Sequence, residues 1–192
     1  MLTLYFAPGS SSMAVHIALH EIGVAFDSRP LSFKSGDLRA PDFLALNPEG
    51  KVPVLLIDGR SLTEVAAILF YLAKRFPDAE LLPRGDLEAE AQALSWMSFS
   101  ASSLHRARRH GLDYAKAVYG IADRRLGPGW ALGRYSIADI HLFRLYWRLA
   151  NSFMPTPETF PNLTAHYARM MARPAVQRTI EAESAVGYEL PA

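Results

Sequence analysis

The chain has 192 residues, half of them hydrophobic and a fifth charged, with a formal net charge of +1. That is enough for one large domain or two small ones sharing an interface, and the charge balance gives no signal for nucleic acid or a membrane surface. No cysteine is present, which excludes disulfides, thiolate metal ligands and cysteine nucleophiles.

Leu2 to Phe6 is apolar and aromatic apart from Thr3, the pattern of a buried strand. Pro8-Gly9 stops it, and Ser10, Ser11 and Ser12 are all residue types that cap helices. Ala14, Ile17, Ala18 and Ile22 then recur at helical spacing, and Gly23 ends the helix. The first charged side chain is Glu21. The break at Pro8-Gly9 nevertheless leaves neither half near the roughly 20 apolar residues that span a bilayer. No Lys or Arg precedes the apolar stretch, as a secretion signal would require, so a cytoplasmic protein is expected. Ala25 to Phe33 reads as a second strand, parallel to the first because a helix joins them.

Asn47-Pro48-Glu49-Gly50 is a turn. Val52 to Ile57 is a short apolar strand, and Asp58-Gly59 signals a hairpin with Leu62 on its return strand. A helix starts near Glu64, with Val65, Ile68, Leu69, Leu72 and Phe76 on one face, and ends at Pro77. Residues 1–77 therefore read as βαβ followed by ββα, and Pro83-Arg84-Gly85-Asp86 lies in a linker. Beyond it every pattern is helical: 87–110, 112–125, 136–151, 161–173 and 174–183. Ser136-Ile137-Ala138-Asp139 is a capping box. The helix it opens is apolar on almost every face, which places it at the centre of a bundle.

A βαβ-ββα unit followed only by helices resembles the cytosolic glutathione transferases. Four segments carry the resemblance in order: Tyr5-Phe6-Ala7-Pro8-Gly9-Ser10-Ser11-Ser12, Asn47 to Leu55, Leu62-Thr63-Glu64 running into a helix, and Ser136 to Asp139. The bacterial beta class is the most similar, because it has a histidine matching His105 in a Leu-His context on its long fourth helix. The resemblance implies an α/β thioredoxin-like domain over 1–77 with a mixed four-stranded sheet, a linker over 78–86 and an all-helical domain over 87–192. It implies glutathione as co-substrate, an electrophilic and hydrophobic small molecule as partner, and a homodimer, with no metal, nucleic acid or membrane.

A free thiol titrates near 8.5, so only about 3% is thiolate at pH 7. Hydroxyl donors at a helix N-terminus favour the anion. Ser11 stands where the beta class places a cysteine, with Ser12 at the following serine and Ser10 as a further donor. Ser11 ranks first for the thiol contact and Ser10 second, and the sequence does not decide between them. With no cysteine at Ser11, exchange through a mixed disulfide is ruled out. Nucleophilic use of glutathione's own sulfur is what remains.

The resemblance makes Pro53 a cis proline that turns the Val52 backbone toward the glutathione cysteinyl group. It assigns Glu64 to the γ-glutamyl ammonium and the Val65 amide to the γ-glutamyl carboxylate, where the family usually has serine. A missing hydrogen bond to a charged group is worth about 1.5–3 kcal/mol. The resemblance turns His105 toward the thiol and places Lys34 at the glycine carboxylate, while helical spacing stacks Ser98 and Ser102 in a row with His105 on one helix face. Arg106, Arg108, Arg109 and His110 form either a solvated helix end or a mouth for an acidic co-substrate. Phe99, Tyr114 and Tyr119 line either an apolar pocket or the core. The alternatives to a transferase are a non-catalytic binding or regulatory protein of the same fold, or another glutathione-dependent enzyme: an isomerase, dehalogenase or peroxidase.

Overall fold

The computed structural model describes residues 1–153 and 155–189. Its central strand, β1 (Leu2–Phe6), pairs in parallel with β2 (Asp27–Pro30) and antiparallel with β3 (Val54–Ile57). A further antiparallel strand, β4 (Arg60–Thr63), completes the sheet in the order β2-β1-β3-β4. Leu4, Val54 and Leu55 are sealed from solvent, which is why the most apolar strands occupy the middle. Strand β2 is shorter than the expected 25–33 and exposed along its length. It is an edge strand, and Pro30 suits an edge because it has no amide to donate. Asp58 and Gly59 both take positive φ, 50° and 83°, as a two-residue hairpin turn requires.

Helix α1 (Ser12–Ile22) joins β1 to β2 and stops at Gly23, whose left-handed backbone returns its amide to the Leu19 carbonyl at 3.0 Å. A 3-10 turn (Asp37–Arg39) and a short helix α2 (Pro41–Leu46) follow β2. The sequence reading missed both, since a six-residue helix burying only Phe43 has too few turns to show a period. Helix α3 (Val65–Arg75) follows β4.

The remaining helices are α4 (Leu87–Phe99), α5 (Leu112–Leu126), α6 (Ile137–Phe153), α7 (Pro161–Met171) and α8 (Pro174–Val186). Asp86 caps α4 by accepting the Ala89 amide at 2.9 Å. The expected single helix over 87–110 is instead α4, a π-helical turn over Ser100–Leu104, one helical turn over His105–Ala107 and a 3-10 turn over Arg108–His110. Residues Ile137 through Tyr146 of α6 are all buried, as an all-round apolar helix should be. Trp96, Leu104, Tyr119, Leu142, Leu145 and Leu163 form the core around it.

Two compact units result: Met1–Leu72 with Pro174–Ala192, and Ala73–Arg173. Helix α8 packs on α1, whereas sequence order alone grouped residues 174–183 with the helical part. Its periodicity marks Ala175, Val176 and Thr179 as the buried face. It says nothing about which partner covers that face.

Candidate functional site

In the first unit the chain turns sharply after β1, with the Ser10 amide returning to the Ala7 carbonyl at 3.0 Å. Gly9 takes a φ of 71° there, which costs glycine little and other residues more. The Ser12 hydroxyl is fully buried and closes the turn. It donates to the Ala7 carbonyl at 3.1 Å and accepts the Ala7 amide at 3.2 Å. It also meets the Ser10 hydroxyl at 2.6 Å, a contact in which either oxygen can be the donor. The Ser10 oxygen in turn accepts the Ser12 amide at 3.2 Å. Both hydroxyls are bonded within the loop.

Ser11 differs. It lies at the N-terminus of α1, makes no side-chain cap bond and is partly exposed. Its hydroxyl donates to the Val52 carbonyl across 3.3 Å, a long contact. The Val52–Pro53 peptide is cis, and Val52 packs in a small core with Ala7, Leu38, Phe43 and Val54. The loop that presents Ser11 is thus fixed from inside, and its freest hydroxyl faces the Val52 backbone.

A buried carboxylate braces the same loop from α8. Glu183 Oε2 accepts the Gly9 amide at 2.7 Å, and Oε1 meets His16 Nδ1 at 3.0 Å. His16 and Glu183 are almost wholly buried. Beside them His20 Nδ1 bonds the Thr179 hydroxyl at 2.8 Å. Burial, then His16 and Arg178, push the His20 pKa down to about 4. Sequence reasoning missed this brace, and Glu183 gave no motif by which to find it.

Glu64 precedes α3 with a φ of 67°. A residue with a Cβ holds that conformation at a cost of about 1–3 kcal/mol. Its side chain is exposed, while that of Val65 is buried. Val65 offers a ligand only a first-turn amide, which has no acceptor within the helix. Lys34 is exposed in the loop after β2.

The other expected site residues lie in the second unit. His105 follows the π-helical turn, and its amide bonds the Ser100 carbonyl. It is half-buried, and its charge is one of the influences that lower His141. Ser98 and Ser102 are exposed, and Ser102 touches the Ser103 hydroxyl at 3.4 Å. The wider π turn between Ser98 and His105 means that these three residues do not form the straight α-helical row the spacing predicted. Arg106, Arg109 and His110 are exposed, whereas Arg108 is half-buried with its guanidinium 5.6 Å from the Phe153 ring. Tyr119 is core: it is 1% exposed and its hydroxyl donates to the Leu145 carbonyl at 3.1 Å. Tyr114 is half exposed, and Phe99 packs against Trp96. Among the described residues no group of acidic, histidine or cysteine side chains is arranged to hold a metal, and no helix is long and apolar enough to cross a membrane.

Residues 1–74 match the family model for the glutathione S-transferase N-terminal domain, and residues 105–183 match that for its C-terminal domain. The chain belongs to the glutathione S-transferase family. Glutathione S-transferase GstA of Escherichia coli O157:H7 is 32% identical, covering 95% of this chain and 98% of the relative. A bacterial beta class glutathione S-transferase from Sphingomonas chungbukensis is 37% identical with a TM-score of 0.79, covering 94% and 98%. A sphingomonad glutathione S-transferase solved in complex with glutathione is 33% identical with a TM-score of 0.81, covering 95% and 98%. In this glutathione S-transferase the first unit holds the thioredoxin-like sheet and the serine loop, and among the described residues every regular element of the second is a helix.

Proposed function

We propose that this glutathione S-transferase binds glutathione against the Ser11 loop, lowers its thiol pKa with the Ser11 hydroxyl, and uses the thiolate as a nucleophile. The observation that carries this is the difference in how the three serine hydroxyls are bonded. Ser10 and Ser12 bond each other and the loop backbone, and Ser11 holds a long, exchangeable bond to Val52. A thiolate accepting the Ser11 proton gains a charge-assisted hydrogen bond in place of a weak neutral one. The α1 N-terminus adds its dipole. The thiol proton passes to solvent. The sulfur then forms a bond to an electrophilic carbon, and the leaving group departs with its electron pair.

The remaining roles follow the same reading. The Val52 backbone at the cis proline holds the cysteinyl group, Glu64 takes the γ-glutamyl ammonium and the Val65 amide the carboxylate, and Lys34 takes the glycine end. His105, with Ser98 and Ser102 on the helical unit, serves the thiol and the electrophile. The electrophile is a hydrophobic small molecule, and the reaction is a detoxifying one. The working form is a two-fold dimer in the cytoplasm. Light scattering on purified protein tests the dimer.

Ser11→Ala is expected to raise the pKa of bound glutathione by about one unit, or about 1.4 kcal/mol of thiolate binding. Thiolate absorbance followed against pH measures it. An unchanged pKa takes the role away from Ser11.

Val65 favours a second reading, a glutathione-binding protein of low activity, because the hydroxyl that would meet the γ-glutamyl carboxylate is missing. Val65→Ser is expected to tighten glutathione about tenfold, the equivalent of one added hydrogen bond to a charged group. Calorimetric titration reads this directly. Retention on glutathione-agarose combined with no turnover of an activated aryl chloride would favour the binding protein over the enzyme.

A further inference from the structure

The loop Ser32–Lys34 holds a carboxylate that belongs to the chain's own C-terminal segment. The Ser32 hydroxyl donates to Glu189 Oε1 at 2.7 Å, and the Phe33 and Lys34 amides donate to Oε2 at 2.7 and 3.1 Å. Consecutive backbone amides and a hydroxyl converging on one acceptor group form an anion nest. These bonds, with the Ser32 hydroxyl first and the Lys34 amide next, hold the Glu189 carboxyl below its ordinary range.

The shape of the nest does not depend on Glu189. The Ser32 amide is tied to Asp37 Oδ2 at 2.8 Å and the Ser35 amide to the Ser32 hydroxyl oxygen at 2.9 Å. The Asp37 amide returns to the Ser32 carbonyl at 3.2 Å, and Gly36 takes a φ of 76° to make the turn. The donors therefore converge whether or not Glu189 is there. The site is exposed, and an exposed ion contact of this kind is screened and weak, so an incoming carboxylate can displace the tail.

We propose that Ser32–Lys34 is a carboxylate-binding site filled from within by Glu189, and that the glycine carboxylate of glutathione competes with Glu189 for it. The second half rests on the glutathione reading above. A site occupied from within the chain lowers apparent affinity by the fraction of molecules in which it is open. The C-terminal segment thus sets how tightly glutathione binds.

Glutathione, and glutathione whose glycine carboxylate has been converted to an amide, are titrated calorimetrically into the wild type and Glu189→Ala. The variant is expected to bind glutathione about threefold tighter or more, with little gain for the amide. Equal affinity of the two proteins for glutathione, or an equal gain for the amide, overturns the competition. If neither protein binds glutathione, the transferase reading falls together with the competition. The nest itself is then judged by acetate titration of the Phe33 and Lys34 amide resonances in Glu189→Ala. Saturable shifts there support a carboxylate site, and their absence removes it.

Discussion

Asp139→Ala is expected to destabilise the protein by about 3–5 kcal/mol, as breaking a buried charged network does. The carboxylate has no exposed surface and serves four donors. Oδ2 accepts the amide and the hydroxyl of Ser136, each at 2.9 Å. Oδ1 accepts the Ala131 amide at 2.8 Å and meets His166 Nε2 at 3.1 Å. One side chain thus caps α6, pins the segment before it and anchors α7. Alanine would leave the Ser136 amide and hydroxyl and the His166 ring buried, and the Ala131 amide part-buried, and each buried polar group left unpaired costs about 1–3 kcal/mol before relaxation. In a chain of this size, 1 kcal/mol moves the melting temperature by about 2–4 °C, so a fall of roughly 10 °C is expected in a calorimetric or circular dichroism melt. Asp139→Asn keeps one acceptor oxygen and should lose less. A loss below 1 kcal/mol for alanine, measured by urea unfolding, would show that the network is not what holds α6 in place.

That box was legible because its four residues are consecutive and its chemistry is local. Ser136 and Asp139 satisfy each other within one turn, so sequence spacing alone predicted the helix start. The same holds for Gly23, which ends α1, and for Asp58-Gly59, which makes the hairpin. The serine triplet was legible as a loop but not as a division of labour. Only the distances show that Ser10 and Ser12 are tied to the loop while Ser11 is left with a long bond. Glu183 was not legible at all, because its partners Gly9 and His16 lie more than 160 residues away. A lone glutamate in an amphipathic helix is indistinguishable from a solvated one until tertiary contacts are known. The π turn at Ser100–Leu104 was hidden for another reason: the residues there fit an ordinary α-helix equally well, and it is the packing of Ser100 and Leu104 into the core that accompanies the wider turn.

His141 should make the protein acid-labile well above the range in which carboxylates titrate. It is buried in α6, and its pKa is pushed down from 6.5 to about 3 by burial first, then by Arg144 and His105. Its Nδ1 is buried without a hydrogen-bond partner, so no local acceptor compensates a proton there. Above pH 6.5 the ring is neutral in both folded and unfolded chains and contributes no pH dependence. Below it the unfolded chain takes up a proton that the folded chain cannot hold. Stability then falls by about 1.4 kcal/mol per pH unit, until the folded-state pKa is reached. Two units of acidification should therefore cost about 3 kcal/mol from this side chain. His20 acts in the same direction but is only half-buried, so solvent screens more of its contribution. In His141→Phe, which keeps a flat ring of similar size without a titrating group, the loss between pH 6.5 and 4.5 should shrink by about that amount. Urea unfolding across this range gives the two slopes. Parallel curves for wild type and His141→Phe would show that the ring is solvated or protonated in the fold, and that the acid sensitivity arises elsewhere.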